Sequence, residues 1–386
     1  MLGVVASCAP VAHPAPAAGG SPAAGVAIRA ARLFDPLAAA STSGVVVRVQ
    51  GSRIVDVLPA TRYRARRGER LIDLGDATLL PGLIDAHVHL SLGGPPRRNA
   101  AATLRAGFTT VADLGAVSQR VLRLRDSVNA GAVEGPRVLA AGLWVGVRGG
   151  VCEFTGIGVA GGAEAFRARV RENVAAGADL IKACVTGWPA AAWSAPDASE
   201  LSPPLLAAVV EEAHRGRRLV VAHALSRGGV RAALDAGVDG LAHAAYVDDE
   251  LAARMRGRGM WMIPTLASLT TGDTSAAARD LVDAVRRAHR AGVTLVYGTD
   301  GGVLPHGQNA REAAALLAAG VPAAEILRAA TVNAARALGI ADSVGAIRAG
   351  MVADLVAVAG DPLADVATLQ RPLFVMARGR VVLGER

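Results

Sequence analysis

The stretch LLPGLIDAHVHL, residues 79–90, sets the reading of the whole chain. It is an apolar run that ends in His87 and His89, two residues apart. Alternate side chains of an extended strand leave the same face, so both imidazoles would project side by side from one strand end. Paired neutral imidazoles suit a divalent cation, zinc above all. Taken alone, a His-x-His is equally well a polar strand tip, and the rest of the chain has to decide between the two.

Short apolar segments ending in polar or small residues recur downstream: TTVADLG (109–115), RVLAAGLWV (137–145), DLIKACVTG (179–187), LVVAHA (219–224), GLAHAA (240–245), MWMIPTLA (260–267) and TLVYGTD (294–300). Amphipathic helical stretches separate them, among them residues 163–178, 203–216, 230–238 and 278–293, and many close on Ala-Gly or Arg-Gly, as a glycine just past a helix end would. Eight strand–helix units over this length predict an α/β fold, a (β/α)8 TIM barrel. A doubly wound open sheet is the alternative, but no Gly-x-Gly-x-x-Gly loop follows the first strand. Residues 25–80 and 343–386 instead alternate apolar and polar positions between Gly and Asp turns. They predict a small β-sandwich domain built from both chain ends around a barrel spanning 81–342.

Residues 1–24 are rich in Ala, Pro and Gly without periodicity and read as a disordered leader or linker. Within them Val5-Ala6-Ser7-Cys8 resembles a bacterial lipoprotein processing site, although only seven residues precede Cys8. Export, periplasmic or lipid-anchored through Cys8, is the expectation, with a cytoplasmic location as the alternative. No run of eighteen apolar residues predicts a transmembrane helix.

The formal charge of +8 invites a nucleic-acid reading, but aromatic residues are 3% and the arginines are scattered, with no basic block interleaved with stacking residues. No nucleic-acid partner is expected. The 41 Lys and Arg residues include one lysine, Lys182. Arginine stays protonated, whereas a buried lysine can lose its proton. A chain that is otherwise all arginine has kept one primary amine, and chemistry that needs an amine is one reading of it; chance is the other. The three cysteines, Cys8, Cys152 and Cys184, form no recognisable pattern and predict neither a disulfide framework nor a Cys-based zinc site. Cys184, two residues after Lys182, reads as a small core residue.

In a barrel of this kind functional side chains gather at the C-terminal strand ends. Those ends carry His87 and His89, Lys182, His223, His243 and Asp300. Asp113 either braces the rim or joins the chemistry. His306, in LPHGQNA, lies on a loop after the eighth strand and is a candidate substrate contact. Buried His, Asp and Lys are costly unless paired or metal-bound, and a metal site explains five such strand ends better than packing does.

This set resembles the amidohydrolase superfamily. The HxH after LPGLID, then Lys182, His223, His243 and Asp300, match its motif residue by residue. GFTTVADLG (107–115), AGADLIK (176–182), GTDGGVLPHGQNA (298–310), ATVNAARALG (330–339) and AGMVADLVAV (349–358) look like its prolidase-type branch. The resemblance implies two divalent metals, usually zinc, bridged by a hydroxide and by a carboxylated Lys182. It assigns His87, His89 and Asp300 to the first metal and His223 and His243 to the second, with Asp300 as the proton-transferring catalytic residue. It further implies hydrolysis of an amide or peptide C–N bond in a small-molecule substrate, such as an Xaa-Pro dipeptide or an N-acyl amino acid, by a homo-oligomer. An ester, carbamate, lactone or organophosphate hydrolase is the alternative enzyme, and a non-catalytic binding or assembly module is the alternative of another class. Members of this branch often carry a Thr-Gly-Gly-His segment between strands three and four. Here residues 145–162 read VGVRGGVCEFTGIGVAGG, without histidine. Arg148, Glu153 and Tyr246 are, with His306, the expected substrate contacts.

Overall fold

The computed structural model describes residues 25–384 other than residue 155. The Cys8 processing site and the leader lie outside the described residues. No helix among them is long and apolar enough to cross a membrane.

The first five strands, β1 (Val26–Asp35), β2 (Ala40–Gln50), β3 (Arg53–Pro59), β4 (Arg70–Asp73) and β5 (Ala77–Pro81), belong to one hydrogen-bonded sheet. The chain then runs through β6 (Leu83–Val88), β7 (Phe108–Asp113), β8 (Arg137–Ala140), β9 (Leu180–Cys184), β10 (Leu219–Ala224), β11 (Gly240–His243) and β12 (Trp261–Ile263). It returns to the first sheet with β13 (Leu355–Ala359), β14 (Pro372–Ala377) and β15 (Arg380–Leu383). The two chain ends meet where β13 pairs antiparallel with β5, Val356 opposite Leu80. The sheet order is β15-β14-β13-β5-β1-β2-β3. β1 pairs with β4 through residues 26–29 and with β5 through 32–33. Alternation drives this assembly: Ile28, Val47, Leu79, Leu355 and Phe374 turn inward into one apolar cluster.

The middle strands are parallel, in the orders β6-β7-β8 and β9-β10-β11-β12. They are buried on both faces, as parallel strands covered by helices must be. Paired positions connect the two groups: Val145 with Ala183 on one side, Met262 with Leu295 and Val88 with Gly301 on the other. The arrangement is α/β and TIM-barrel-like. Helix ends follow the local code. Ser226 and Asp248 cap their helices by accepting from Gly229 N and Leu251 N, and Gly237 ends one at φ 76°.

The eighth expected strand, 294–300, departs from regular geometry. Its amides are diverted. Tyr297 N donates to Ala329 O, and Thr299 N donates to Asp85 Oδ1. Ala329 opens a π-helical turn, Ala329–Asn333, a geometry that frees carbonyls from the ordinary helical ladder. Only single bridges, at Leu295 and Gly301, remain of the strand.

Candidate metal centre

The strand ends converge as the spacing predicts. His87 ends β6 and His89 follows it, Lys182 is on β9, His223 on β10, His243 ends β11, and Asp300 closes the irregular eighth segment. All six are buried, none more than 8% exposed. Asp300 Oδ1 lies 3.3 Å from both His87 Nε2 and His89 Nε2. Lys182 Nζ is 3.4 Å from His87 Nε2. The His223 and His243 rings sit 4.7 Å apart, and His243 is 5.2 Å from His87. Ligand atoms of His87, His243 and Asp300 all fall within 4.8 Å of one another.

Backbone strain marks the same places. His243 and Asp300 hold φ of 70° and 59°, as does Thr265, at 53°, on the neighbouring strand end. Such conformations are rare for non-glycine residues and cluster at functional sites. Gly298 has to be glycine for a different reason. A Cβ there would meet His87 Cβ at 2.9 Å and Ile263 Cγ2 at 2.4 Å.

Each imidazole but one is oriented through its second nitrogen. His89 Nδ1 donates to Gly115 O at 2.9 Å, His243 Nδ1 lies 2.6 Å from Thr265 Oγ1, and His223 Nε2 is 3.4 Å from Gly187 O. Partners of this kind set the tautomer of metal-binding histidines. His87 Nδ1 is buried with no partner among the described residues.

Electrostatics favour a neutral, electron-rich cluster. Burial holds His87 and His243 well below the usual imidazole range and pulls His223 to about 4. Burial also lowers the Lys182 amine to about 7, with Asp300 opposing. Burial pushes the Asp300 carboxyl up, but the neighbouring His87 and His89 outweigh it and hold it well below the ordinary carboxylate range. Neutral imidazoles, an ionised carboxylate and an amine that can lose its proton are the donor chemistry a divalent cation requires. The residues present fit a metal centre.

Two buried aspartates support the cluster. Asp85, two residues before His87 and on the same strand face, accepts from Thr299 Oγ1 (2.6 Å), Asn309 Nδ2 (2.7 Å) and His87 N (3.1 Å). Asp113 accepts from Leu90 N at 2.8 Å and Gly115 N at 3.1 Å, so it braces the rim. Sequence reasoning missed Asp85, although period-two spacing from His87 is a signal that could have found it. Asn309, Thr265 and Glu312, which binds the amides of Leu266 and Ala267, carried no local signal.

The cluster forms the floor of a cavity of about 190 Å³, walled by Leu92, Trp144, Phe154, Trp188, Leu269 and Val303. A larger cavity, about 690 Å³, opens at the opposite strand ends and contains none of the six residues. The expected substrate contacts do not line the smaller cavity. Arg148 is exposed and Glu153 turns back to accept from Gly149 N at 3.4 Å. His306 lies 3.3 Å from Thr103 Oγ1 and from His89 O, and Tyr246 sits at φ 61° beyond β11. Position along the chain located their loops but not the direction of their side chains.

The cysteine reading is corrected. Cys152 and Cys184 form a disulfide, their Cα atoms 6.2 Å apart. The loop after β8 folds back over β9 and closes a separation of 32 residues that no spacing rule reveals.

Comparison with known proteins agrees with the geometry. The model of the amidohydrolase family matches residues 78–382. Ochratoxinase of Aspergillus niger is 29% identical over 356 residues, 77% of this chain and 73% of that protein. The crystal structure of a Xaa-Pro dipeptidase with bound methionine in the active site superposes with a TM-score of 0.86 at 28% identity, covering 92% of this chain and 99% of the other. A putative prolidase from Bifidobacterium longum gives 0.83 at 30% identity over 95% and 97%. With most of its length matched and a metal-type donor set at its strand ends, this chain belongs to the amidohydrolase family and is a hydrolase of the prolidase-like branch.

Proposed function

We propose that the protein is a binuclear metal-dependent amidohydrolase that cleaves an amide C–N bond of a small molecule. The observation that carries this reading is the convergence of His87, His89, His223, His243 and Asp300 around the buried amine of Lys182. His87, His89 and Asp300 would hold one divalent ion, zinc being the leading choice, and His223 and His243 a second. When bound, the ions supply Lewis acidity, making water more acidic and polarising the scissile carbonyl.

Lys182 would hold both ions after adding carbon dioxide. An N–C bond forms, nitrogen releases a proton, and the resulting carbamate offers two oxygens in place of one nitrogen. A guanidinium cannot do this, which accounts for a lysine at this position alone. Asp300 accepts a proton from the attacking water at a carboxylate oxygen and returns it to the departing nitrogen. Water adds across the amide, giving a carboxylic acid and an amine.

The same reading completes the eightfold βα ring over residues 81–342, with residues 25–80 and 343–386 folded as a sandwich beside it. Export to an oxidising compartment is a further proposal, supported by the Cys152–Cys184 bond. The test is metal analysis of the purified chain combined with a screen of amides and matched esters. About two ions per chain and amide turnover that disappears on chelation are expected. A metal-free protein, or one that opens only esters, would defeat the reading.

A further inference from the structure

The walls of the cavity say more about the substrate than its floor does. From His89 an unbroken aromatic row runs outward. His89 lies 5.5 Å from Trp144, Trp144 5.1 Å from Phe154, and Phe154 5.9 Å from Trp188, measured between ring centres. Trp188 is 54% exposed, so the row ends at solvent. The chain has 4 Trp and 5 Phe in 386 residues. Three of these nine rings at one mouth are a concentration that a core packed mainly with Ala, Val and Leu does not need.

The row is built rigidly. Trp144 Nε1 donates to Leu114 O at 2.8 Å, and its ring packs on Gly115, where a Cβ would stand 2.4 Å from the indole. The Cys152–Cys184 bond fastens the segment between Trp144 and Phe154 to β9. Opposite, Leu92, Leu269 and Val303 complete an apolar slot.

Positive charge is missing from the walls of this slot among the described residues. Lys182, on the floor against His87, is the one Lys or Arg among the described residues that line it. Arg169, which reaches the wall from outside, is committed to the carbonyls of Ile157 (2.7 Å) and Trp144 (3.3 Å). The charge beside the wall is negative. Glu200 Oε2 accepts from Val151 N at 2.9 Å, and Glu200 Oε1 stands 3.1 Å from where a Cβ on Gly187 would lie. A carboxylate held against these walls, away from the cations proposed for the floor, would lose water and gain no partner, whereas an aromatic ring would stack edge-on or offset along the row.

We infer that the substrate is an amide whose groups flanking the scissile bond are aromatic or apolar and uncharged, and that the free carboxylate of a dipeptide or N-acyl amino acid is selected against. The inference rests on the amide-hydrolase reading and narrows its substrate, away from the dipeptides expected from the sequence.

The test uses the metal-replete full chain and two compounds that differ only in a carboxylate, N-benzoylphenethylamine and N-benzoylphenylalanine. The neutral amide is expected to have at least ~30-fold the kcat/KM of the acid. Binding is read separately by quenching of tryptophan fluorescence, and the neutral compound should bind at least ~10-fold more tightly. Trp188→Arg should narrow both ratios about tenfold by adding a counter-charge, whereas Trp188→Ala should weaken both compounds alike. If neither compound is cleaved but the binding ratio holds, amide hydrolysis is wrong and the substrate class stands. Equal or tighter binding of the acid, or a Trp188→Arg variant with unchanged ratios, overturns the inference.

Discussion

His243 and Thr265 end two neighbouring strand segments with the same left-handed backbone, φ 70° and 53°, and their side chains meet, Nδ1 to Oγ1, at 2.6 Å. The contact leaves the other ring nitrogen of His243 free to face His223 and His87. Thr265→Val preserves the branched shape and removes only the hydroxyl, leaving a buried ring nitrogen without a partner. Such a loss costs about 1–3 kcal/mol, and support of this kind is worth roughly 10–100-fold in metal affinity. Zinc competition against a chelator should show the weaker affinity, with thermal unfolding shifted down. Unaltered affinity would mean that strain, and not this hydrogen bond, orients His243.

Lys182→Arg should abolish turnover and most bound metal while leaving the fold intact by circular dichroism. The guanidinium keeps its charge and cannot form a carbamate. Retained turnover in this variant would remove the amine from the chemistry.

Asp300→Asn is nearly isosteric, and asparagine tolerates the φ of 59° at this site. Much of the metal should remain, since the histidines are untouched. Turnover should fall by about 10²–10⁴, the usual contribution of a positioned proton carrier. Steady-state kinetics with parallel metal analysis separates the two effects, and an unchanged kcat would assign proton transfer to another group.

Glu312 gives a pH dependence that can be isolated. Burial raises its carboxyl from an ordinary 4.5 to about 8. The folded state therefore holds a proton that the unfolded chain has lost between these values. The contribution of Glu312 to stability is complete below about pH 4.5 and fades as pH climbs to 8, by on the order of 3–5 kcal/mol. Glu312→Gln, which cannot ionise, should flatten this slope. Urea midpoints of both proteins at pH 5, 6.5 and 8 test it, and parallel curves would show that Glu312 is ionised in the fold.

The Cys152–Cys184 bond closes 32 residues, a loop whose constraint on the unfolded chain is worth about 3–4 kcal/mol in the chain-entropy account. The double variant Cys152→Ser, Cys184→Ser should lose stability of that order. Because the bond also fastens the aromatic row, KM for an aromatic amide should rise several-fold with kcat changed less. A stability loss with KM unmoved would limit the bond to a structural role.

What the sequence alone determined was local and periodic. Alternation placed His87 and His89 on one strand face, the repeated strand–helix rhythm gave the α/β order, and a single lysine among arginines stood out by chemistry. That both chain ends are strand-rich was legible, because apolar alternation is written residue by residue; the pairing of β5 with β13 was not. Tertiary structure alone decided the rest. Cys152 meets Cys184, Glu312 reaches the amides of Leu266 and Ala267, and Trp144, Phe154 and Trp188 line up into one wall. The eighth segment gives up regular strand geometry because its amides answer to Asp85 and Ala329. The physical reason is range. Periodicity reports which face of an element is buried, whereas the direction of a loop side chain and the partner it meets depend on contacts far away in the chain, which no short stretch of sequence encodes.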